Sequence, residues 1–205
     1  MKVQWEVTLE HGRVGLRPLN GRDQKAWYEV QGRNRSWLGP WEATPPHGGG
    51  RPSTFAAMVR AVRKQASAGL SLPFVITWDG NLVGQLTVSG IALGSARMAQ
   101  IGYWIDRRVA NRGITTLAVA MATDYCLSRL ALHRVELVIR PENNASLRVA
   151  HKLGFTEEGL RRRFLHIDGG WRDHLAFSIL AEDVPGGLVK RLEAAAARGE
   201  FTLPA

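Results

Sequence analysis

The chain has a single cysteine, Cys126, among its 205 residues. That excludes an intramolecular disulfide framework and fits a reducing cytoplasm. Cys126 lies within an apolar helical pattern and reads as a small buried hydrophobe rather than a nucleophile. No uninterrupted apolar run is long enough to span a bilayer. The opening Met1-Lys2-Val3-Gln4-Trp5-Glu6 lacks the apolar stretch of a secretory signal, so a soluble cytoplasmic protein is expected. The six histidines and one cysteine show neither paired helical ligands nor zinc-knuckle spacing, so no metal is expected. There is no internal repeat and no compositional break. One domain over 1–205 is expected, with a core at 13–181 and a helical tail at 182–205. Acidic residues are also scarce, 18 against 27 Lys and Arg, for a formal charge of +9. Such a surface favours anions: a phosphorylated cofactor, an acidic peptide or RNA.

What is present alternates between the two hydrophobic periods. Val14 and Leu16 form a short strand closed by Pro18, and a helix follows from Asp23 to about Arg33. The stretch Ser36 to Glu42, with Trp37, Gly39, Pro40 and Trp41, fits neither period and reads as a loop, prolonged by Pro45, Pro46 and the glycines at 48–50. Ser53 is a candidate cap for a helix carrying Phe55, Met58, Val59 and Val62. Four strands of an antiparallel meander are expected next, including 74–78 and 82–88 around the hairpin dipeptide Asp79-Gly80, then 97–105. Ile114, Leu117, Met121 and Tyr125 mark an amphipathic helix to about Leu130. Val135, Leu137 and Ile139 alternate as a strand, and that crossover makes it parallel to the strand before the helix. A helix from about Asn144 stops at Gly154, a hairpin turns at Asp168-Gly169-Gly170 between 164–167 and 171–180, and an alanine-rich surface helix covers 188–198.

Two phrases carry chemistry. In Asn111-Arg112-Gly113-Ile114-Thr115-Thr116 a strand hands over to a helix whose first amides have no internal partners and hold the positive end of its dipole. Gly113 admits close approach of a phosphate, and Arg107, Arg108 and Arg112 add cationic cover. The turn is neither a Walker loop nor a dinucleotide fingerprint, and by itself it is matched by a plain helix start with solvated arginines. In Pro141-Glu142-Asn143-Asn144-Ala145-Ser146 an asparagine caps a helix, with a hydroxyl in its first turn.

With Gly102-Tyr103-Trp104-Ile105 and Lys152-Leu153-Gly154-Phe155, these phrases resemble the Gcn5-related N-acetyltransferase (GNAT) superfamily. The phrases from Asn34 to Glu42, Arg134-Val135-Glu136 and Asp168 to His174 resemble its RimJ/RimL group, the ribosomal-protein-alanine N-acetyltransferases. The resemblance implies an α+β (α/β) GNAT fold, with a mixed sheet of about seven strands and two splayed parallel strands forming the cofactor cleft. It implies acetyl-CoA as cosubstrate, with its pyrophosphate on the amides of Asn111, Arg112, Gly113, Ile114, Thr115 and Thr116. The pantetheine arm would pair with Tyr103, Trp104 and Ile105, near Asn143 and Lys152. Ala110 and Thr115 depart from the usual turn. Ala150 stands where another branch has a catalytic tyrosine, and Leu165 where RimL-like enzymes have a glutamate.

The expected reaction is attack of a neutral amine on the thioester within a ternary complex. An α-amine titrates near pH ~8, so a strong base is optional. Ser146 is the candidate acid for the leaving thiolate. Glu42 is the candidate base, with an equal claim as a surface anchor of its loop, and Tyr103 and His174 are weaker alternatives. Trp37 and Trp41, with Glu42, are expected to wall the acceptor side. The expected acceptor is the N-terminal alanine of a ribosomal protein, through a monomer or homodimer. One alternative is transfer to small amines or aminoglycosides, and another, from the charge, is a basic ribosome- or RNA-associated binding protein with little catalysis; weak association with RNA or ribosomes is a further expectation.

Overall fold

The structure is a computed structural model and describes residues 5–47 and 54–204. Eight strands form one sheet in the order β1-β2-β3-β4-β5-β6-β8-β7. They are β1 (Leu9–His11), β2 (Val14–Pro18), β3 (Ser71–Trp78), β4 (Asn81–Ala92), β5 (Met98–Ile105), β6 (Arg134–Ile139), β7 (Thr156–Ile167) and β8 (Gly170–Leu180). Among the described residues, β5 and β6 are the one parallel pair, joined by the crossover helix α4 (Ile114–Asp124). The strand beyond the expected seven is β1, three residues hairpinned onto β2. Three strands, not four, follow the second helix; β2 supplies the fourth member of the meander.

The remaining helices are α1 (Gln24–Arg33), α2 (Arg35–Leu38), α3 (Phe55–Ser67), α5 (Asn144–Leu153) and α6 (Leu188–Ala197). The segment expected to be irregular contains α2 and a 3₁₀ turn, Gly39–Trp41, with Pro40 near its start where a missing N–H costs nothing. Ser53 lies outside the described residues; Thr54 is the cap of α3, its Oγ1 accepting from the Ala57 amide at 3.1 Å. Strand β7 begins eight residues before the expected 164, because Glu157, Glu158 and Arg161 to Arg163 conceal any alternation. It is the sheet edge, where charged side chains discourage pairing with other chains. Helix α6 is not a free surface helix. Leu188 and Leu192 are buried, and the Asp124 carboxylate at the end of α4 accepts the Leu188 and Val189 amides at 2.6 and 3.0 Å.

The larger core packs α4, α5 and α6 on one face of the sheet, around Leu86, Ile101, Leu117, Leu137 and Phe177. Helix α4 is buried on nearly every side, so its apolar stripe is wide and Cys126 beyond it is fully enclosed. Burial pushes that thiol up to about 12, which leaves it protonated and inert. A smaller core of Trp27, Val30, Phe55, Val59, Val75 and Leu82 sits under α1 and α3 on the opposite face. No helix among the described residues is long and apolar enough to cross a membrane.

Candidate active site

Strands β5 and β6 pair only from Met98–Arg134 to Gln100–Glu136. Beyond that point they part, and the edge of β5 from Ile101 to Ile105 faces a gap. Three spaces meet there. A cavity of about 520 Å³ lies on the α4–α5 side, bounded by Tyr103, Ile105, the 111–116 turn and the start of α5. A groove of about 520 Å³ runs under α1 and α3, with an apolar wall of Trp27, Phe55, Met58 and Trp104 and a polar floor of Gln85, Thr87 and Ser89. A smaller cavity of about 220 Å³ occupies the gap itself. Trp41 and Tyr103 border all three.

The turn into α4 is built to expose amides. Asn111 and Gly113 both have positive φ, 63° and 78°, and no side chain caps the helix. Its first amides are therefore left for an anion, as an extended phosphate-bearing ligand requires. A Cβ on Gly113 would come within 3.1 Å of Phe201 Cζ and of the Thr202 carbonyl, so the tail packs behind the turn and glycine is required there. Gly113→Ala adds a left-handed penalty of about 1–2 kcal/mol. If the turn relaxes to escape it, the Kd for acetyl-CoA should rise about tenfold, as read by calorimetry.

A buried polar cluster holds the turn against α1. Asp106, 2% exposed, accepts from Arg33 Nη2 at 2.6 Å, Asn34 Nδ2 at 2.9 Å and the Arg108 amide at 3.2 Å. Asn34 also donates to the Val30 carbonyl and accepts from the Arg107 amide, which satisfies its side chain. Burial alone would push the Asp106 carboxyl up; the bonds from Arg33, Asn34 and Arg108 overcome that and bring it down to about 2.

On the opposite wall, Asn143 Oδ1 accepts from the Ser146 amide at 3.1 Å and caps α5, and Asn143 lines both the larger cavity and the gap cavity. Ser146 borders both the 520 Å³ cavity and the gap cavity. It stands beside Tyr103, whose buried hydroxyl has no fully formed hydrogen bond. Burial pushes that phenol up to about 12, only partly offset by Ser146.

Tyr103, Trp104, Ile105, Asn111, Gly113, Ile114, Thr115, Thr116, Asn143, Ser146 and Lys152 all line the α4–α5 cavity, joined by Trp37 and Trp41. Arg112 does not: its guanidinium lies 5.0 Å over Trp78, which Arg13 covers at 4.9 Å. Trp37 lines this cavity rather than the groove and carries Arg107 over its ring at 5.6 Å. Trp41 is held by Arg140 at 5.4 Å, and Arg140 also donates to the Pro40 carbonyl at 2.7 Å. Glu42 is exposed on the groove wall, and none of these three spaces is bordered by both Glu42 and Ser146. Leu165 borders the gap cavity, so the β7–β8 hairpin brings no carboxylate into it. Arg148 escaped notice in the sequence. It lines the cavity and reaches Asn111 Oδ1 at 3.4 Å, and its i, i+4 spacing to Lys152 was the available signal.

A parted pair of parallel strands, with an uncapped helix start at one end, defines the cleft of an acyl-carrier-dependent transferase. Residues 13–156 match the acetyltransferase (GNAT) domain, and the chain belongs to that family. It is an acetyltransferase that uses acetyl-CoA, and the amide cradle at 111–116 suits the diphosphate of that donor. RimJ of Mycobacterium smegmatis, solved in complex with CoA-disulfide, superposes with a TM-score of 0.88 at 39% identity, covering 94% of this chain and 96% of that one. The [ribosomal protein uS5]-alanine N-acetyltransferase of Escherichia coli (strain K12) is 29% identical over 88% of this chain and 95% of its own. The probable N-acetyltransferase YjcK of Bacillus subtilis (strain 168) is 39% identical over 51% of this chain, a match that spans 58% of that relative's length.

Proposed function

We propose that the protein acetylates the N-terminal alanine, or another small first residue, of a ribosomal or other protein. The observation that carries this reading is the groove that runs outward from the strand gap under α1 and α3. It is open, and apolar along one wall with hydrogen-bonding groups on its floor, as an extended peptide requires. Similarity over nearly full length to the uS5-alanine enzyme and to RimJ supports it. A formal charge of +9 would also hold the protein near an RNA-rich particle.

Within this reading the amides of the 111–116 turn bind the diphosphate, with Arg148 and Lys152 as flanking cations. The free edge of β5 orients the pantetheine arm and offers a donor to the oxygen that gains charge. Ser146 Oγ holds the proton for the departing sulfur. The exposed Glu42 carboxylate on the groove wall draws the charged peptide terminus inward.

The test is free-thiol release from acetyl-CoA with a panel of Ala-initiated peptides, spermidine and an aminoglycoside. Ala-initiated peptides are expected to give the highest kcat/KM. A clear preference for spermidine or the aminoglycoside would reject the peptide assignment while leaving acetyl transfer intact.

A further inference from the structure

The cavity in the strand gap is small, and its lining narrows the choice of proton acceptor. Three titratable side chains border it: Tyr103, Arg140 and His174. Tyr103 keeps its proton, because burial pushes the phenol to about 12. Arg140 is a permanent cation, spread over Trp41 and bonded to Pro40 and Glu142. His174 is left.

His174 is 2% exposed and sits on β8 opposite Arg161 of β7. Its Nδ1 lies 3.1 Å from the Arg172 carbonyl, and a carbonyl can only accept. Nδ1 therefore carries the hydrogen, and the lone pair of the neutral ring is on Nε2. The Phe164 ring packs edge-on at 5.9 Å and fixes the imidazole plane. Burial lowers the tendency of His174 to protonate, opposed by the Arg172 carbonyl; nearby Arg140 lowers it further, and Glu142 and Asp173 raise it. The net direction is downward, so the ring is neutral and ready to accept at neutral pH.

The same cavity asks for a polar occupant. Gln100 and Tyr103 both line it: the buried Gln100 Nε2 has no hydrogen-bond partner, and the buried Tyr103 hydroxyl has only its incomplete contact with Ser146. Unpaired buried groups are costly, and a peptide's first carbonyl and amine would satisfy both.

We propose that His174 is the proton acceptor for the attacking amine, bound in the gap between Tyr103 and Gln100. The assignment rests on the acetyl-transfer reading and not on the identity of the amine. As the N–C bond forms and the C–S bond breaks, the amine's proton passes to His174 Nε2. The sulfur takes its proton from Ser146, and solvent afterwards re-equilibrates the two side chains. For a neutral amine no net proton is released.

The discriminating variant is His174→Asn, whose amide replaces the Nδ1–H donor to the Arg172 carbonyl but leaves nothing in place of Nε2. The assay follows kcat against pH with saturating acetyl-CoA and whichever amine in the panel the wild type prefers. His174→Asn should keep its Tm and its Kd for acetyl-CoA while kcat falls about a hundredfold. Its residual kcat should climb steadily with pH where the wild type levels off, and imidazole in the buffer should restore part of the rate to His174→Ala. A variant with wild-type kcat and pH profile overturns the role. So does a loss of equal size at every pH without imidazole rescue, which would mark His174 as a structural residue. A wild type that acetylates no amine would instead overturn the acetyl-transfer reading itself.

Discussion

Ser146→Ala is expected to lower kcat by about two orders of magnitude, the scale of a lost general acid, and to leave acetyl-CoA affinity within a few fold. The expectation comes from where α5 puts the hydroxyl. Asn143 fixes the first turn through the Ser146 backbone amide, not through its side chain, so Oγ is uncommitted to the cap. It borders both the donor cavity and the gap cavity, which is where a departing sulfur must be protonated. Alanine leaves the cap intact and suits a helix, so Tm should not fall. Thiol release under saturating conditions, set beside calorimetric Kd values, separates the two effects. Unchanged turnover would remove Ser146 from the role and turn attention to Tyr103, whose retained proton lies beside it. The double variant with Tyr103→Phe shows whether the two hydroxyls act as one unit, since coupled groups lose less together than the sum of their single losses.

The second large effect concerns stability. Asp106→Ala should cost about 3 kcal/mol, the lower end for breaking a buried ion pair, because Arg33 is partly exposed and can turn to solvent. Asn34 and the Arg108 amide lose their acceptor at the same time, so acetyl-CoA affinity should fall with stability. The pH dependence has a definite sign. The folded carboxyl is held at about 2, below the ordinary carboxylate value, so its contribution is complete above about pH 4. It is lost as pH falls toward 2. Urea midpoints of the wild type and Asp106→Ala should therefore differ most near pH 7 and converge below pH 4. A constant gap at every pH would show that packing, not charge, holds the turn.

Much of this was legible in the chain because the informative residues act locally. Helix α5 runs from Asn144 to Leu153 as expected, since its cap, its apolar spacing and its glycine stop all lie within twelve residues. The parallel pairing of β5 and β6 follows from the length of the crossover, and the open turn follows from Gly113. The Arg112 side chain lies outside the cavity because its partner, Trp78, is brought alongside by tertiary packing. Glu42 lines the groove for a similar reason: the path of α2 and the 3₁₀ turn decides which wall it joins. Strand β7 was mostly hidden because an edge strand need not alternate. His174 could be read only as a weaker alternative to Glu42, since its place in the gap depends on β8 pairing with β6, more than thirty residues earlier in the chain.

The parting of β5 from β6 has a consequence for the unliganded protein. A sheet normally keeps its unpaired backbone at the two outer strands, yet here a row of peptide groups from 101 to 105 lies open in the middle. On the proposed binding mode, the cofactor would close that seam with hydrogen bonds supplied by a molecule that is not a polypeptide. The two halves, β1 to β5 and β6 to β8, would then be laced together at one end by chain and at the other by cosubstrate. Resistance to unfolding should then track the supply of acetyl-CoA in solution, rising with the logarithm of its concentration above Kd.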